Sequence, residues 1–416
     1  MPRRTLVIAL LLAVPCMLLA AESEVVWEKS GDYWTATETS FFGLGDRPVI
    51  SVDECSAKIV VIGEEREDTK LVLVYHAASR LDESSAQTEF EELHPNLEIA
   101  TNSLSMKGRM LDLEFATRTA WFEMTFYTPF HTNTELITTG GDLLLKNLAG
   151  EMRLESNGGT VTLDGTSGRL ILSTSGGDVF LKKHCGLQSV NSAGGRVELD
   201  GDEGIIDLDT AGGDITLNMA CGRMNISSWG GDITLNDVKA ERLKVQTSGG
   251  QIIMRRSEII EISNLESRGG DILVEDCTGN LDFNVSGGDL EIHQHLGDVD
   301  VFGSAGNITI DGIAGDLDID LTAGSVFATL SEDLPDPVRW DLQVNAGDVE
   351  VSLYESVQTD LVVRLNCSRN QDAIQSDFPL DVRDFGGSIA ARGQVNGGGS
   401  EIDITVGGGK IRIRKN

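Results

Sequence analysis

Through the middle of the chain, pairs of apolar residues two places apart recur at a fixed interval. They are Leu143/Leu145, Val161/Leu163, Val179/Leu181, Val197/Leu199, Ile215/Leu217, Ile233/Leu235, Ile252/Met254, Ile272/Val274 and Leu290/Ile292. A second column, with members such as Met152/Leu154, Leu170/Leu172, Ile206/Leu208 and Leu281/Phe283, runs out of phase with the first and is broken only by Gln188 and Ser263. Alternation of period two predicts strands with one face inward. Two strands of about five residues per 18-residue unit cannot enclose a core alone, so each unit must stack on the next and bury its columns there. Each Leu or Ile buried this way contributes about 1.5–3 kcal/mol.

Glycine punctuates the same period. Pairs fall at 140–141, 158–159, 176–177, 194–195, 212–213, 230–231, 249–250, 269–270 and 287–288, with Gly150, Gly168, Gly186, Gly204, Gly222, Gly279 and Gly297 half a period away. Ser or Thr precedes each pair (Ser156, Thr174, Ser192, Thr210, Ser228, Thr247, Ser267), placed to satisfy backbone groups at a corner. The predicted fold is all-β: a single-stranded parallel β-helix, or β-solenoid, of about 18 residues per coil in two nonapeptide halves. The usual hand of parallel crossovers predicts right-handed winding.

The flanks differ. Arg3 and Arg4, the apolar run Leu6 to Leu19, and Ala20–Ala21 read as a signal peptide over residues 1–21, which implies export to the periplasm, cell surface or exterior. Pro15 before Cys16 argues against lipidation. Residues 22–135 are strand-rich but aperiodic and are expected to form an N-terminal cap with irregular first coils; SSAQTEFEEL within them suits a short helix or a loop. Residues 136–330 form the regular solenoid. Residues 331–416 continue it with insertions at 331–346 and 366–384, and the basic KIRIRK is expected to cap the end.

The chain carries 66 acidic against 33 basic residues, a net charge of −33. That balance opposes binding to nucleic acid or anionic lipid and favours cations and basic partners. No apolar run after the leader approaches the length of a transmembrane segment. Cys55, Cys185, Cys221, Cys277 and Cys367 are odd in number and match no zinc spacing. Cys185 and Cys221 share a corner position two coils apart, about 10 Å and beyond disulfide reach, so both are expected as free, buried thiols.

The units GGDITL, SGGDVFL and SGGDLEI resemble those of an exported bacterial putative-adhesin domain family of unknown function. FYTPFHTNTELITTGGDLLL is similar to that family's lead-in and GGGSEIDITVGGGKIRIRKN to its last coils; the likeness spans about residues 45–416 and is weakest before 120. The resemblance implies a β-helical fold, an envelope or extracellular location and a binding role. It carries over no catalytic residue.

Candidate sites follow from side chains the core does not need. Aspartates after the glycine pairs (Asp142, Asp178, Asp214, Asp232, Asp271, Asp289, with Asp298, Asp316 and Asp348 later) are either turn residues or ligands of a calcium-stabilised roll. Asp214, Asp232, Asp271 and Asp289 are the metal candidates, although the GGxGxD order of calcium-binding coils is missing. Trp229 at a corner and Trp340 in the proline-bearing insertion are candidate ligand contacts. His293 and His295 are expected to face outward together. No GxSxG, P-loop or HExxH motif occurs. The reading is a non-catalytic, adhesin-like binding or scaffold protein for a surface glycan or protein ligand, without a cofactor. The alternatives are a carbohydrate-active lyase or hydrolase with its site near the insertions, and a calcium-stabilised surface protein.

Overall fold

The computed structural model describes residues 5–9, 22–30, 33–55, 57–78, 81–107, 120–332, 337–366 and 373–416. The expected signal peptide lies outside these residues except for the backbone strand Thr5–Ala9, which runs antiparallel to Glu22–Ser30. The chain divides into two compact units, Met1–Gly204 and Ile205–Asn416. Each is a parallel β-solenoid.

In the first unit, Leu143 pairs with Val161, Val161 with Val179 and Val179 with Val197, each in register on the next coil. The companion ladder runs Met152–Leu170–Gln188. In the second unit one ladder runs Ile215–Ile233–Ile252–Ile272–Leu290–Ile308–Val326–Val349, and the other runs Leu281–Val299–Leu317–Trp340–Ile402. Apart from Gln188, which is buried but polar, these residues form the apolar core. The apolar columns read from the sequence are therefore continuous seams. Ser/Thr hydroxyls close the corners: Thr138 Oγ1 accepts the Gly141 N–H and Ser228 Oγ that of Gly231, both at 2.9 Å.

Both ends depart from chain order. In the first unit the coil made by Val49–Cys55 and Lys58–Glu64 lies between two later segments. On one side are Asn133–Thr138 and Leu143–Lys146; on the other are Ser103–Lys107 and Trp121–Pro129. Beyond it the strands turn antiparallel, joining Trp121–Pro129 to Thr69–Ala78, Tyr33–Phe42 and Glu22–Ser30. Residues 84–93, open between helix and loop on sequence grounds, lie in the helix Glu83–Leu93. Asp82 is its N-cap, its carboxylate taking the Ser85 N–H at 2.7 Å. The helix covers one face of the antiparallel sheet, packing Phe90 against Trp27 and Tyr75.

In the second unit the strands Ser400–Gly408 and Ile411–Lys415 do not cap the stack as expected. Ser400–Gly408 is hydrogen-bonded between Arg339–Ala346 and Thr359–Leu365, and Ile411–Lys415 between Val349–Leu353 and Ile374–Ser376. The covering elements are Ile389–Val395 and Asp381–Asp384, both antiparallel. Ile402, Ile404, Ile411 and Ile413 are buried core residues, so this segment has the inward columns of a coil filled on both sides.

Candidate functional site

The aspartate column has a structural partner at each of its main members. Asp214 Oδ1 accepts the backbone N–H of Asp232 at 2.9 Å, and Asp232 Oδ1 that of Gln251 at 2.8 Å. Asp271 takes the Asp289 N–H at 2.8 Å, and Asp289 that of Asn307 at 2.7 Å. Asp142, Asp178, Asp298, Asp316 and Asp348 repeat the contact. At these corners one N–H points along the stack, and the carboxylate one coil earlier is the short acceptor that reaches it. Among the described residues no group of three or more His, Cys, Asp or Glu is placed to hold a metal ion.

Trp229 stands 72% exposed at its corner, as its Ser and Gly neighbours suggest. Trp340 does not offer a ligand contact. Its strand belongs to the stack, so the indole falls into the inward column between Leu317 and Ile402 and is fully buried, with Nε1 donating to the Gly315 carbonyl at 3.3 Å. Of the two insertions, residues 339–346 are this strand, whereas 333–336 and 367–372, with Cys367, lie outside the described residues.

The histidine and cysteine expectations fail for one shared reason. A left-handed residue at the second corner of each coil, Lys183 (φ 53°), Met219 (φ 54°) and Gln294 (φ 52°) among them, restarts the alternation. The residue after it points inward and the next points outward. His295 is consequently buried while His293 stays on the surface near Glu291, and Cys185 and Cys221 are free but exposed.

This restart creates a third inward column, which a search for uniformly apolar positions misses because its chemistry is mixed. In the first unit it holds Thr166, His184 and Asp202, all buried. Thr166 Oγ1 and His184 Nδ1 share a hydrogen bond at 2.8 Å, while His184 Nε2 has no partner. Asp202 accepts the backbone N–H groups of His184 at 2.6 Å and Asp200 at 3.0 Å. Burial nevertheless pushes its carboxyl up to about 7 and holds the His184 imidazole below its ordinary range. In the second unit the column holds Ser257, Cys277 and His295. Cys277 pairs in register with His295, an arrangement that could suggest a nucleophile and its base. The electrostatics oppose it: burial pushes the thiol up to about 11 and the imidazole down to about 4, so both are neutral near pH 7 and no thiolate forms.

The outward face of the second unit carries a row of like charge. Asp282, Asp300, Asp318, Asp341 and Asp403 are register partners on five consecutive strands of one parallel ladder, about 4.8 Å apart. Partial burial and then the neighbouring carboxylates raise the pKa of Asp300 and of Asp318. At the end of the row, Arg364 Nη1 contacts both oxygens of Asp403 at 2.7 Å. A guanidinium thus already answers one rung of the ladder.

Residues 200–373 match the family model described as Toastrack DUF4097, so this stretch is similar to a family of unknown function. No curated protein matches the chain. Among solved structures, a "putative cell adhesion protein" from Clostridium sporogenes is 10% identical, with 91% of this chain and 99% of the other covered and a TM-score of 0.16. A "putative lipid binding protein" from Parabacteroides distasonis is 12% identical over 70% and 94%, with a TM-score of 0.21. A "putative adhesin" from Parabacteroides merdae is 12% identical over 76% and 95%, with a TM-score of 0.24. TM-scores this low do not define a shared fold. No helix of the described residues is long and apolar enough to cross a membrane.

Proposed function

We propose that the chain is an exported, non-catalytic binding or scaffold module of the cell envelope or exterior, and that its partner presents repeated positive charge. The observation that carries this reading is the in-register aspartate row Asp282–Asp300–Asp318–Asp341–Asp403, whose last rung is met by Arg364. A row of carboxylates one strand spacing apart repels itself, and a linear polycation relieves that repulsion at every rung. The fold supports the reading by what it spends its other polar groups on. The corner aspartates are engaged with backbone N–H groups, and the buried Cys and His are neutral.

The test is binding of decalysine to the full chain at low and moderate salt. Neutralising Asp300, Asp318 and Asp341 together to Asn should weaken it by about tenfold and flatten its salt dependence. Unchanged affinity in that variant, or equal binding of decaglutamate, refutes the proposal.

A further inference from the structure

The antiparallel sheet of the first unit has two unlike faces. One is covered by the helix Glu83–Leu93 through Phe90 and the rings of Trp27 and Tyr75. Among the described residues the opposite face has no covering element, and it gathers aromatic rings from three strands. Register places Thr35 beside His76 and His76 beside Trp121, with Tyr33 one step further along its strand. The His76 imidazole stacks on the Trp121 indole, centroids 4.7 Å apart and planes at 15°. Tyr33 meets Trp121 edge-on at 5.3 Å and 78°. Despite these contacts Trp121 remains 40% and Tyr33 43% exposed. One side of the indole is therefore braced by a neighbouring ring while the cluster stays open to solvent.

Polar groups frame the rings. Glu28 is the register partner of Thr35, Val26 that of Thr37, and Thr37 that of Val74, which in turn faces Glu123. His76 Nε2 lies 3.7 Å from Glu123 Oε1. Carboxylate and hydroxyl groups thus lie within one or two strand spacings of the rings on this face.

We propose that Trp121, Tyr33 and His76 form a saccharide-binding platform that stacks one pyranose ring of a neutral glycan, with Glu28, Glu123 and Thr35 accepting hydrogen bonds from its hydroxyls. Size argues for a small occupant. The exposed surface of Trp121 and Tyr33, backbone included, amounts to about 200 Å², against about 800 Å² per partner in a stable protein interface. Chemistry narrows the class. Docking an apolar protein surface would bury Glu28 and Glu123 without partners, at a cost of several kcal/mol, and the same carboxylates repel an anionic ligand. A pyranose offers C–H groups on its face and O–H donors at its rim, which is the pattern these side chains complement. Rigid rings already held in place lose little freedom on binding. The platform belongs to the first unit and the aspartate row to the second, and the platform does not rest on that row.

The experiment is saturation-transfer NMR on the full chain with three probes: methyl β-D-glucopyranoside, methyl β-D-galactopyranoside and methyl N-acetyl-β-D-glucosaminide. Choline serves as a cationic comparison. Transfer to the ring C–H protons of at least one pyranoside is expected. It should vanish in Trp121→Ala, fall by about threefold or more in Tyr33→Ala, and persist in Trp229→Ala and in the Asp300/Asp318/Asp341→Asn variant. Tyr33→Ala, checked for folding by circular dichroism, keeps the test decisive if Trp121→Ala fails to fold. No transfer to any pyranoside, transfer that survives both ring deletions, or a response to choline alone overturns the proposal. Loss of decalysine binding with saccharide transfer intact removes only the ladder reading, and the converse removes only the platform.

Discussion

Adjacent glycines in one pair should respond in opposite ways to the same substitution. A Cβ built on Gly158 meets nothing within 4 Å, whereas one on Gly159 collides with the Gly141 carbonyl carbon and oxygen and with the Asp142 nitrogen. Those atoms are backbone, so no rotamer change relieves the clash. The coils must separate locally by roughly 1 Å to restore van der Waals contact. Three hydrogen bonds span the gap between these two coils at the corner: Leu143 N–H to Thr160 O at 2.8 Å, Asn157 N–H to Thr138 O at 3.1 Å, and Thr160 N–H to Asp142 Oδ1 at 2.8 Å. Stretching them forfeits about 1 kcal/mol each, and the overpacking adds about 1–3 kcal/mol, so Gly159→Ala should cost about 4–6 kcal/mol. Gly158→Ala should stay within about 0.5 kcal/mol of wild type. Urea unfolding followed by far-ultraviolet circular dichroism compares the two. Because both exchange glycine for alanine one residue apart, unfolded-state effects largely cancel. Equal midpoints for the two variants would refute the claim that close backbone approach makes the second glycine obligatory.

Other outcomes follow from the same contacts. Asp214→Ala hands the exposed Asp232 N–H to water and should cost about 0.5–1.5 kcal/mol, whereas added calcium should leave the wild-type melting temperature unchanged; a calcium-dependent rise of several degrees would restore a metal role for Asp214, Asp232, Asp271 and Asp289. His295 titrates at about 4 when folded against 6.5 unfolded, so stability is lost as pH falls through that window, by about 3 kcal/mol in all. His295→Leu should abolish that loss and raise the midpoint at pH 7, and an unaltered pH profile in urea melts would contradict it. Asp202 runs the other way: its carboxyl is raised from 3.8 to about 7, so its contribution is greatest below pH 3.8 and declines by about 4 kcal/mol as pH rises to 7. Stability of Asp202→Asn relative to wild type should therefore increase from pH 4 to pH 8, which paired urea titrations can check. Deleting residues 400–416 should unfold the end of the second unit rather than trim it, seen as lost hydrogen-exchange protection in Arg339–Leu353 and Thr359–Leu365; retained protection there would show that the inserted coil is dispensable.

The coil architecture was legible because its cause is local and repeated. Period-two apolar pairs at an 18-residue interval admit one economical burial, with Ile215 beneath Ile233 and Leu143 beneath Val161, and the structure has those registers. The Ser/Thr column was equally readable, since a hydroxyl three residues before a glycine N–H is a short-range contact. The third inward column was not. Its geometry depends on left-handed residues as unlike as Lys183, Met219 and Gln294, whose φ no propensity announces. Missing that restart placed His295, Cys185 and Cys221 on the wrong faces. Trp340 was misjudged because Pro335 and Pro337 suggested a loop, while Leu342 and Val344 after it already continued the alternation. The aromatic platform was hidden for a different reason. Tyr33, His76 and Trp121 are scattered through an aperiodic segment and meet only through antiparallel pairing.

That pairing belongs to a solution that each unit uses where its parallel coils run out. A parallel coil exposes unpaired N–H and C=O groups on its outer edge, a template for adding strands from other chains. In each unit the chain leaves order to cover that edge. Lys58–Glu64 is enclosed by strands that come later in sequence, and Ile411–Lys415 by strands that come earlier. In each case the direction then reverses, through Thr69–Ala78 in the first unit and Ile389–Val395 in the second. The outermost strand of the second unit, Asp381–Asp384, is short, exposed at every position and charged at Asp381, Arg383 and Asp384, all of which discourage edge-to-edge pairing. Because the inserted coils need partners from distant parts of the chain, no coil-by-coil reading of the repeat could have placed them. Their inward alternation gave the strand, and only long-range pairing gave its neighbours.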